Sequence, residues 1–179
     1  MSVSVIDWGA VDGRPVQLWT LVSEETGMRM RVASYGCIVT ELHVPGRGGN
    51  FVDVALGRPT LQDYVERTQY FGCTAGRCAN RICKGKFCID GVPFQATCNN
   101  GQNCLHGGAK GFDKVVWDAQ ASVELGTPKI TLSYTSEHGE EGFPGTVRDS
   151  TLPLVIFCNI WSGARHRGVR SHPCGRTAR

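Results

Sequence analysis

The sequence predicts an all-β fold in which many short strands pack as a sandwich or barrel. Three observations support this prediction: the 179 residues include 23 glycines, apolar and polar residues alternate in short runs, and one segment alone has a helical pattern. Glycines between short apolar runs are typical of strands joined by turns. A chain of this length can bury a substantial core, and we expect one domain.

Three alternating runs predict strands at residues 16–21, 28–32 and 37–44. Apolar side chains on one face and polar ones on the other suit half-buried strands. Residues 115–117 and 129–134 predict two more strands. The helical segment is residues 60–67, where Thr60 can cap the first turn and Asp63 lies near the positive end of the helix dipole.

Two glycine-containing segments predict hairpins. Residues 46–50 follow Pro45 and are rich in turn formers. A phosphate-binding loop is the alternative there, but the Lys-Ser/Thr ending is missing and no helical pattern follows, so we expect a hairpin loop. Asp90 and Gly91 separate alternating runs at 86–89 and 92–95, and Asp-Gly favours a type I′ turn.

The composition changes near residue 147. Residues 150–157 form an apolar block that contains Pro153, which argues against a central strand. All 16 acidic residues lie at or before Asp149, whereas residues 150–179 carry five arginines and no acid. We expect residues 2–147 to form the domain and residues 148–179 to be an irregular basic tail, derived from an altered reading frame, a retained intron or a faulty gene model.

Composition also excludes several classes of protein. A basic tail can attract nucleic acid or membranes, but this one lacks interleaved aromatics and helical periodicity, so we expect neither partner. No run approaches the ~18–20 apolar residues of a membrane span, and the start does not resemble a signal peptide, so we expect a cytoplasmic protein. The nine cysteines contain no Cys-x-x-Cys pair, which favours reduced thiols over a metal site.

Three polar clusters could carry chemistry. Asn80 and Arg81 offer the donors and the acceptor needed to hold sugar hydroxyls, although a surface ion pair and a turn would use the same residues. His106 precedes two glycines that allow close approach to a ligand, although a single His is often structural. Glu140 and Glu141 could act as an acid–base pair, but adjacent glutamates on a Gly/Pro loop are usually solvated.

In order and spacing, these clusters resemble the aldose 1-epimerase (galactose mutarotase) family. The resemblance covers residues 2–147, and its motifs lie at 34–37, 53–57, 70–72, 76–82, 105–108, 111–117 and 139–145. It implies the N-terminal part of a galactose-mutarotase-like β-sandwich, also called a supersandwich. The glutamate loop at 139–145 is characteristic of the family but does not supply its catalytic carboxylate.

The resemblance implies a substrate and three site residues. The Asn-Arg pair of the family binds sugar hydroxyls and the histidine lies at the sugar, so Asn80, Arg81 and His106 are implied to bind substrate. His106 would also position or polarise the sugar as an auxiliary catalytic residue. The implied reaction interconverts the α and β anomers of a free hexose, a small-molecule partner, without a cofactor.

The resemblance is incomplete in one important respect. The family implies an acid His within an Asn-His-x-Tyr-Phe-Asn-Leu segment, a base Glu farther downstream and an Asp that binds the sugar. None of these has a counterpart in this sequence, so we expect the chain to be impaired or inactive in catalysis. The alternatives are a non-catalytic sugar-binding module and a relative that acts on hexose 6-phosphates.

Overall fold

The computed structural model describes residues 2–67, 69–124, 127–147 and 152–155. Strands and turns dominate this part of the chain, which confirms the predicted all-β class. The strands are β1 Ser2–Val11, β2 Arg14–Val22, β3 Arg29–Ala33, β4 Ile38–Pro45, β5 Phe51–Asp53, β6 Arg81–Ile82, β7 Lys86–Ile89, β8 Val92–Gln95, β9 Cys104–Leu105, β10 Asp118–Glu124, β11 Thr127–Ser133 and β12 Leu152–Val155. The α-helix, α1, is Leu61–Glu66, and 3-10 turns occupy Cys83–Gly85, Phe112–Lys114 and Glu140–Gly142.

Strands β1 to β5 form an antiparallel meander in which each strand pairs with the next. The runs predicted at 16–21, 28–32 and 37–44 are β2, β3 and β4, with small shifts at their ends. Strands β4 and β5 close as the predicted hairpin, with Pro45 opposite Phe51. The glycine-rich loop between them is a turn, because the backbone N–H of Gly46 donates to the Asn50 carbonyl at 2.8 Å.

Strands β10, β11 and β12 form a second antiparallel sheet, and β11 is central among the described strands. Ile130 and Leu132 on β11 are fully buried and pack in one cluster with Leu21 and Val32 of the first sheet. Trp117 belongs to the same cluster. The two sheets therefore cover a common apolar core, as the layers of a β-sandwich do.

Helix α1 occupies the segment that was predicted as helical, and the predicted cap is present. The Thr60 hydroxyl accepts a hydrogen bond from the Asp63 backbone N–H at 3.2 Å, which satisfies one of the unpaired donors of the first turn. Leu61 and Tyr64 are buried against a second apolar cluster that includes Leu18 and Ile38 of the first sheet. The helix therefore closes one face of the meander.

Two short strand pairs lie outside the main sheets. Strands β7 and β8 form the predicted hairpin, and Asp90 and Gly91 at its turn have φ angles of 49° and 79°, as a type I′ turn requires. Strands β6 and β9 pair antiparallel over two residues each, with Arg81 opposite Leu105 and Ile82 opposite Cys104.

Two segments differ from the sequence-based expectation. Strand β1 was not predicted; it pairs with β2 over its length but is exposed at most of its positions. Residues 115–117 were predicted to be a strand, but the structure has only an isolated antiparallel bridge there, between Val116 and Tyr35, in a segment that follows a 3-10 turn and leads into β10. All three side chains are buried, so this apolar run reflects enclosure on every side rather than one buried face.

The described part of the basic tail is β12, which pairs with β11 at the edge of the second sheet. An irregular tail was predicted from residue 148 onward, and residues 152–155 depart from that prediction. Pro153 is compatible with this position because an edge strand leaves one row of backbone groups outside the ladder. Residues 148–151 and 156–179, where the rest of the tail was predicted, lie outside the described residues.

Candidate functional site

The β6–β9 pair brings together the three site residues predicted from the sequence. Asn80 precedes β6, Arg81 begins it, and His106 follows β9. Because the two strands run antiparallel with Arg81 opposite Leu105, Asn80 and His106 lie side by side. The backbone N–H of His106 donates to the Asn80 carbonyl oxygen at 3.1 Å.

Asn80 and His106 both have left-handed backbone conformations, with φ angles of 65° and 51°. This conformation is costly for residues other than glycine, and such residues are found disproportionately at functional sites. Here it turns the chain sharply at the ends of β6 and β9. The side chains of both residues therefore leave the strand pair at one end.

The tautomer of His106 follows from its hydrogen bond. The backbone N–H of Asn80 donates to Nδ1 of His106 at 3.0 Å. Because a backbone N–H can only donate, Nδ1 is the accepting, unprotonated nitrogen. In the neutral imidazole the proton is then on Nε2, which can donate to a hydroxyl or ring oxygen of a ligand.

Arg81 is oriented by two side-chain amides. Its Nε donates to Oδ1 of Asn100 at 3.1 Å, and Nη1 lies 3.4 Å from Oδ1 of Asn80. The side chain is otherwise exposed, and Nη2 has no hydrogen-bond partner among the residues that the structure describes. The guanidinium is thus held in place by Nε while retaining donors for a ligand, a use that suits its planar fork.

Asn99, which the sequence analysis did not single out, holds the loop that carries His106. Its Oδ1 accepts from the Leu105 backbone N–H at 2.7 Å. Its Nδ2 donates to the carbonyls of Leu105 and Gly108 at 3.0 and 2.7 Å. One amide therefore binds the chain on both sides of His106. No sequence pattern indicates this, because Asn-Asn-Gly reads locally as a turn.

Tyr70 is a second residue without a predicted role, although it lies in a motif that carried the resemblance. Its ring meets the His106 imidazole at a centroid distance of 4.7 Å and an angle of 62°, an edge-to-face contact. The Lys114 ammonium lies 5.2 Å from the centroid of the same ring. A shallow neighbouring cleft includes Tyr70 and Lys114 in its lining, together with Arg58 and Cys73.

Glu141 has its carboxylate engaged by the protein. Its two oxygens accept hydrogen bonds from the backbone N–H groups of Ala109 and Lys110, each at 2.8 Å. Both donors lie immediately beyond the two glycines that follow His106. This contact joins the loop after His106 to the glutamate loop. Glu141 therefore has a structural role and is not simply solvated, as adjacent glutamates on such a loop usually are.

Glu140 and Arg77 also bind protein groups. The Glu140 carboxylate accepts from the hydroxyls of Tyr134 and Ser136. Burial raises the pKa of Tyr134, and the hydrogen bond and charge of Glu140 raise it further. Arg77 donates from Nε to Ser136 at 2.6 Å and from Nη1 to the Gly145 carbonyl at 2.6 Å. These hydrogen bonds hold the loop that contains Glu140 and Glu141 in a fixed conformation.

Within the described residues, no group of three or more His, Cys, Asp or Glu side chains is arranged to hold a metal ion. No helix in that part of the chain is long and apolar enough to cross a membrane. The cysteines there are free thiols. Cys73, in the cleft beside Tyr70, is partly buried, and this burial, followed by the charge of Asp113, raises its pKa to about 11.

Comparisons with known sequences point to one family. A model of the family described as aldose 1-epimerase matches residues 17–150. Galactose mutarotase from Bos taurus is 41% identical over 133 residues, which are 74% of this chain and 37% of that relative. Aldose 1-epimerase from Escherichia coli strain K12 is 30% identical over 165 residues, which are 92% of this chain and 46% of the relative.

Solved structures agree. The galactose 1-epimerase from Lactobacillus acidophilus NCFM matches with a TM-score of 0.71 and 25% identity, over 81% of this chain and 42% of that one. A GalM/aldose epimerase homologue from C. elegans matches with a TM-score of 0.63 and 25% identity, over 72% of this chain and 39% of that one. The chain spans less than half the length of these relatives. With the family match over most of its own length and the shared sandwich, the chain belongs to the aldose 1-epimerase family.

Proposed function

We propose that this chain forms the sugar-binding part of an enzyme that interconverts the α and β anomers of free hexoses such as glucose and galactose. The observation that carries the proposal is the juxtaposition of Asn80, Arg81 and His106, with His106 held as the Nε2–H tautomer. The names of the relatives, galactose mutarotase and aldose 1-epimerase, support the same substrate class.

The three residues supply complementary polar groups. His106 donates from Nε2 to a sugar oxygen, and Arg81 donates from the guanidinium hydrogens that Asn100 leaves available. The Asn80 side chain adds an amide that both donates and accepts. Sugars present hydroxyls that act as donors and acceptors in turn, so a mixed set of this kind suits a pyranose edge.

In the proposed reaction, a base removes the proton of the anomeric hydroxyl while an acid protonates the ring oxygen. The ring opens to the aldehyde, the C1–C2 bond rotates, and closure on the other face inverts the anomeric carbon. Proton transfer by a placed group contributes about 10²- to 10⁴-fold. The acid His and base Glu segments that the family implies have no counterpart in this sequence, so we propose that the chain alone binds hexose but turns it over very slowly.

The test measures binding and turnover separately on the 179-residue chain. Binding of D-galactose and D-glucose is followed by ¹H–¹⁵N NMR titration. Turnover is followed by polarimetry of fresh α-D-galactose against buffer. We expect saturable binding, with shifts at Asn80, Arg81 and His106, and negligible acceleration of mutarotation.

The chain offers a matched control for His106. The exposed His138 also accepts a backbone hydrogen bond at Nδ1, from Gly145 at 2.9 Å, but it lies in the loop that contains Glu140 and Glu141. We expect His106→Asn to weaken galactose binding by about three- to tenfold, the worth of one hydrogen bond, and His138→Asn to leave it unchanged. Equal effects of the two substitutions, or no saturable hexose binding by the wild-type chain, would refute the proposed site.

Two alternatives are separated by the same experiments. A non-catalytic sugar-binding module would bind galactose without turnover even after the missing acid and base segments are supplied by fusion to the C-terminal half of a relative. A hexose 6-phosphate epimerase would bind glucose 6-phosphate more tightly than glucose. The cleft beside Tyr70 is lined by Arg58, Arg67 and Lys114, but Arg67 and Lys114 are already paired with Asp63 and Asp113, so we favour the free hexose.

We further propose a cytoplasmic location, with no cofactor and no nucleic-acid or membrane partner. The lack of interleaved aromatics and of helical periodicity in the basic tail argues against nucleic-acid and membrane partners, and the absence of Cys-x-x-Cys pairs favours reduced thiols over a metal site. Imaging of the chain with a small carboxy-terminal tag in its own cells is the direct test of location. Accumulation in a secretory compartment would contradict the proposal.

A further inference from the structure

The imidazole of His106 needs more than one anchor to point Nε2 in a fixed direction. The hydrogen bond from Asn80 restrains Nδ1, but the side chain can still rotate about its Cα–Cβ and Cβ–Cγ bonds within the range that one hydrogen bond tolerates, and this rotation tilts the ring. A group that touches the ring from the side restricts this tilt. Tyr70 is such a group, since its ring meets the imidazole at 4.7 Å and 62°.

Tyr70 is itself restrained by its surroundings. Its hydroxyl oxygen lies 3.4 Å from Nδ2 of Asn99, but that amide already donates to two carbonyls at shorter distances, so the hydroxyl adds little restraint. The Lys114 ammonium lies 5.2 Å from its ring centroid, and Asp113 pairs with that ammonium at 2.7 Å. A ring held in this way can limit the movement of the His106 imidazole, whereas a freely rotating ring could not.

The backbone of Tyr70 supports the same view. Its φ angle is 59°, in the left-handed region, where a non-glycine residue costs about 1–2 kcal/mol. Because the surrounding structure maintains this conformation, the direction of the side chain is defined by the fold rather than by local preference. The ring is thereby aimed at the imidazole.

From these contacts we infer that Tyr70 is a positioning residue for His106, and that it acts through its ring rather than its hydroxyl. The consequence of this positioning, the orientation of Nε2–H towards a hexose, rests on the proposed function. Positioning to within about 0.5 Å and 10–20° is what a binding or catalytic group requires. An edge-to-face ring pair contributes about 0.5–1.5 kcal/mol, enough to restrict one tilt.

The experiment compares Tyr70→Phe with Tyr70→Leu in the full chain. Phenylalanine keeps the ring edge and removes the hydroxyl, whereas leucine removes the ring. The ¹⁵N shifts of the His106 imidazole report the tautomer, and His138, whose Nδ1 accepts a backbone N–H in the same way, is the internal reference. In the wild-type chain, Overhauser contacts between Tyr70 ring protons and His106 imidazole protons test the geometry without any substitution.

We expect the wild type and Tyr70→Phe to show one His106 tautomer protonated at Nε2. Tyr70→Leu should give averaged ¹⁵N shifts and bind galactose about three- to tenfold more weakly, with His138 unchanged. Absence of the wild-type Overhauser contact, unchanged His106 shifts in Tyr70→Leu, or equal damage by Tyr70→Phe would overturn the inference. If the wild-type chain binds no hexose while the His106 shifts behave as expected, the proposed function fails and the positioning role stands.

Discussion

Asn99→Ala should destabilise the protein far more than the same change at the adjacent Asn100. The substitution removes an acceptor for the Leu105 N–H and donors for the Leu105 and Gly108 carbonyls, at 2.7, 3.0 and 2.7 Å. Leu105 is buried, so its N–H has little access to water after the change. Asn100 loses one exposed hydrogen bond, from Nε of Arg81 at 3.1 Å.

The magnitude follows from the number of bonds and their burial. A net contribution of about 0.5–1.5 kcal/mol for each of three hydrogen bonds gives about 1.5–4.5 kcal/mol. Asn99 is only partly buried, so water can reach part of the vacated space, and we expect about 2–3 kcal/mol. Asn100→Ala should cost less than about 1 kcal/mol, because water replaces an exposed bond at little net cost.

Equilibrium unfolding in urea, followed by tryptophan fluorescence, measures both variants. With a urea m-value of about 2 kcal/mol/M, Asn99→Ala should lower the midpoint by about 1–1.5 M and Asn100→Ala by less than 0.5 M. Asn99→Asp retains the acceptor for Leu105 but sets a carboxylate against two carbonyls, so it should be no more stable than Asn99→Ala. Midpoints of Asn99→Ala and Asn100→Ala within about 0.3 M of each other would refute the hydrogen-bond argument.

Two further predictions concern a glycine and a thiol. Gly107→Ala should lower the free energy of unfolding in urea by more than about 3 kcal/mol, because its φ is 97° and the added methyl would overlap the Gly76 carbonyl. The control, Gly139→Ala, has a similar φ of 86° but open space around it, and should cost about 1 kcal/mol. Comparable losses in the two variants would exclude close approach as the cause. Cys73, whose pKa burial raises from 9.0 to about 11, should react with iodoacetamide at pH 8 about 100-fold more slowly in the folded chain than after unfolding in urea, from its thiolate fraction alone. It should also react more slowly than the exposed Cys88. Equal labelling of both thiols, measured by peptide mapping after alkylation, would contradict this difference in reactivity. Because the raised pKa favours the neutral thiol in the folded state, the stability that Cys73 contributes is present below about pH 9 and is lost as the pH rises towards 11.

Elements with local signals were predictable. The Asp90-Gly91 turn and the Thr60 cap depend on residues within three positions of each other, so local preference and final structure agree. Strand β1 was missed because its alternation covers only Ser2 to Val5 before Ile6 interrupts it, although the strand continues to Val11. Residues 115–117 form one β-bridge rather than a full strand, and a short apolar run without alternation does not distinguish the two.

The residues of the proposed site came from the sequence, but their supports did not. Asn80, Arg81 and His106 carry functional groups that suit sugar hydroxyls, and the family resemblance implied their roles, which stay predictions. The structure places them together through the short β6–β9 pairing, which is too brief to leave a periodic pattern. Asn99 and Tyr70 act on residues that are distant in sequence or reached through a folded loop, so their contribution depends on tertiary contacts alone.

The supports of the site all belong to this chain, and this separates binding from proton transfer. The groups that orient the site are Asn99, Asn100, Tyr70 and Glu141, through contacts within the described residues. None of these contacts requires the acid, base or aspartate segments that the family implies. A chain that lacks those segments can therefore retain an oriented His106 donor and Arg81 fork, so we expect it to keep part of the hexose affinity, without the aspartate contact, while the mutarotation rate is lost. A measured hexose affinity therefore does not indicate the mutarotation rate, and a measured rate does not indicate the affinity.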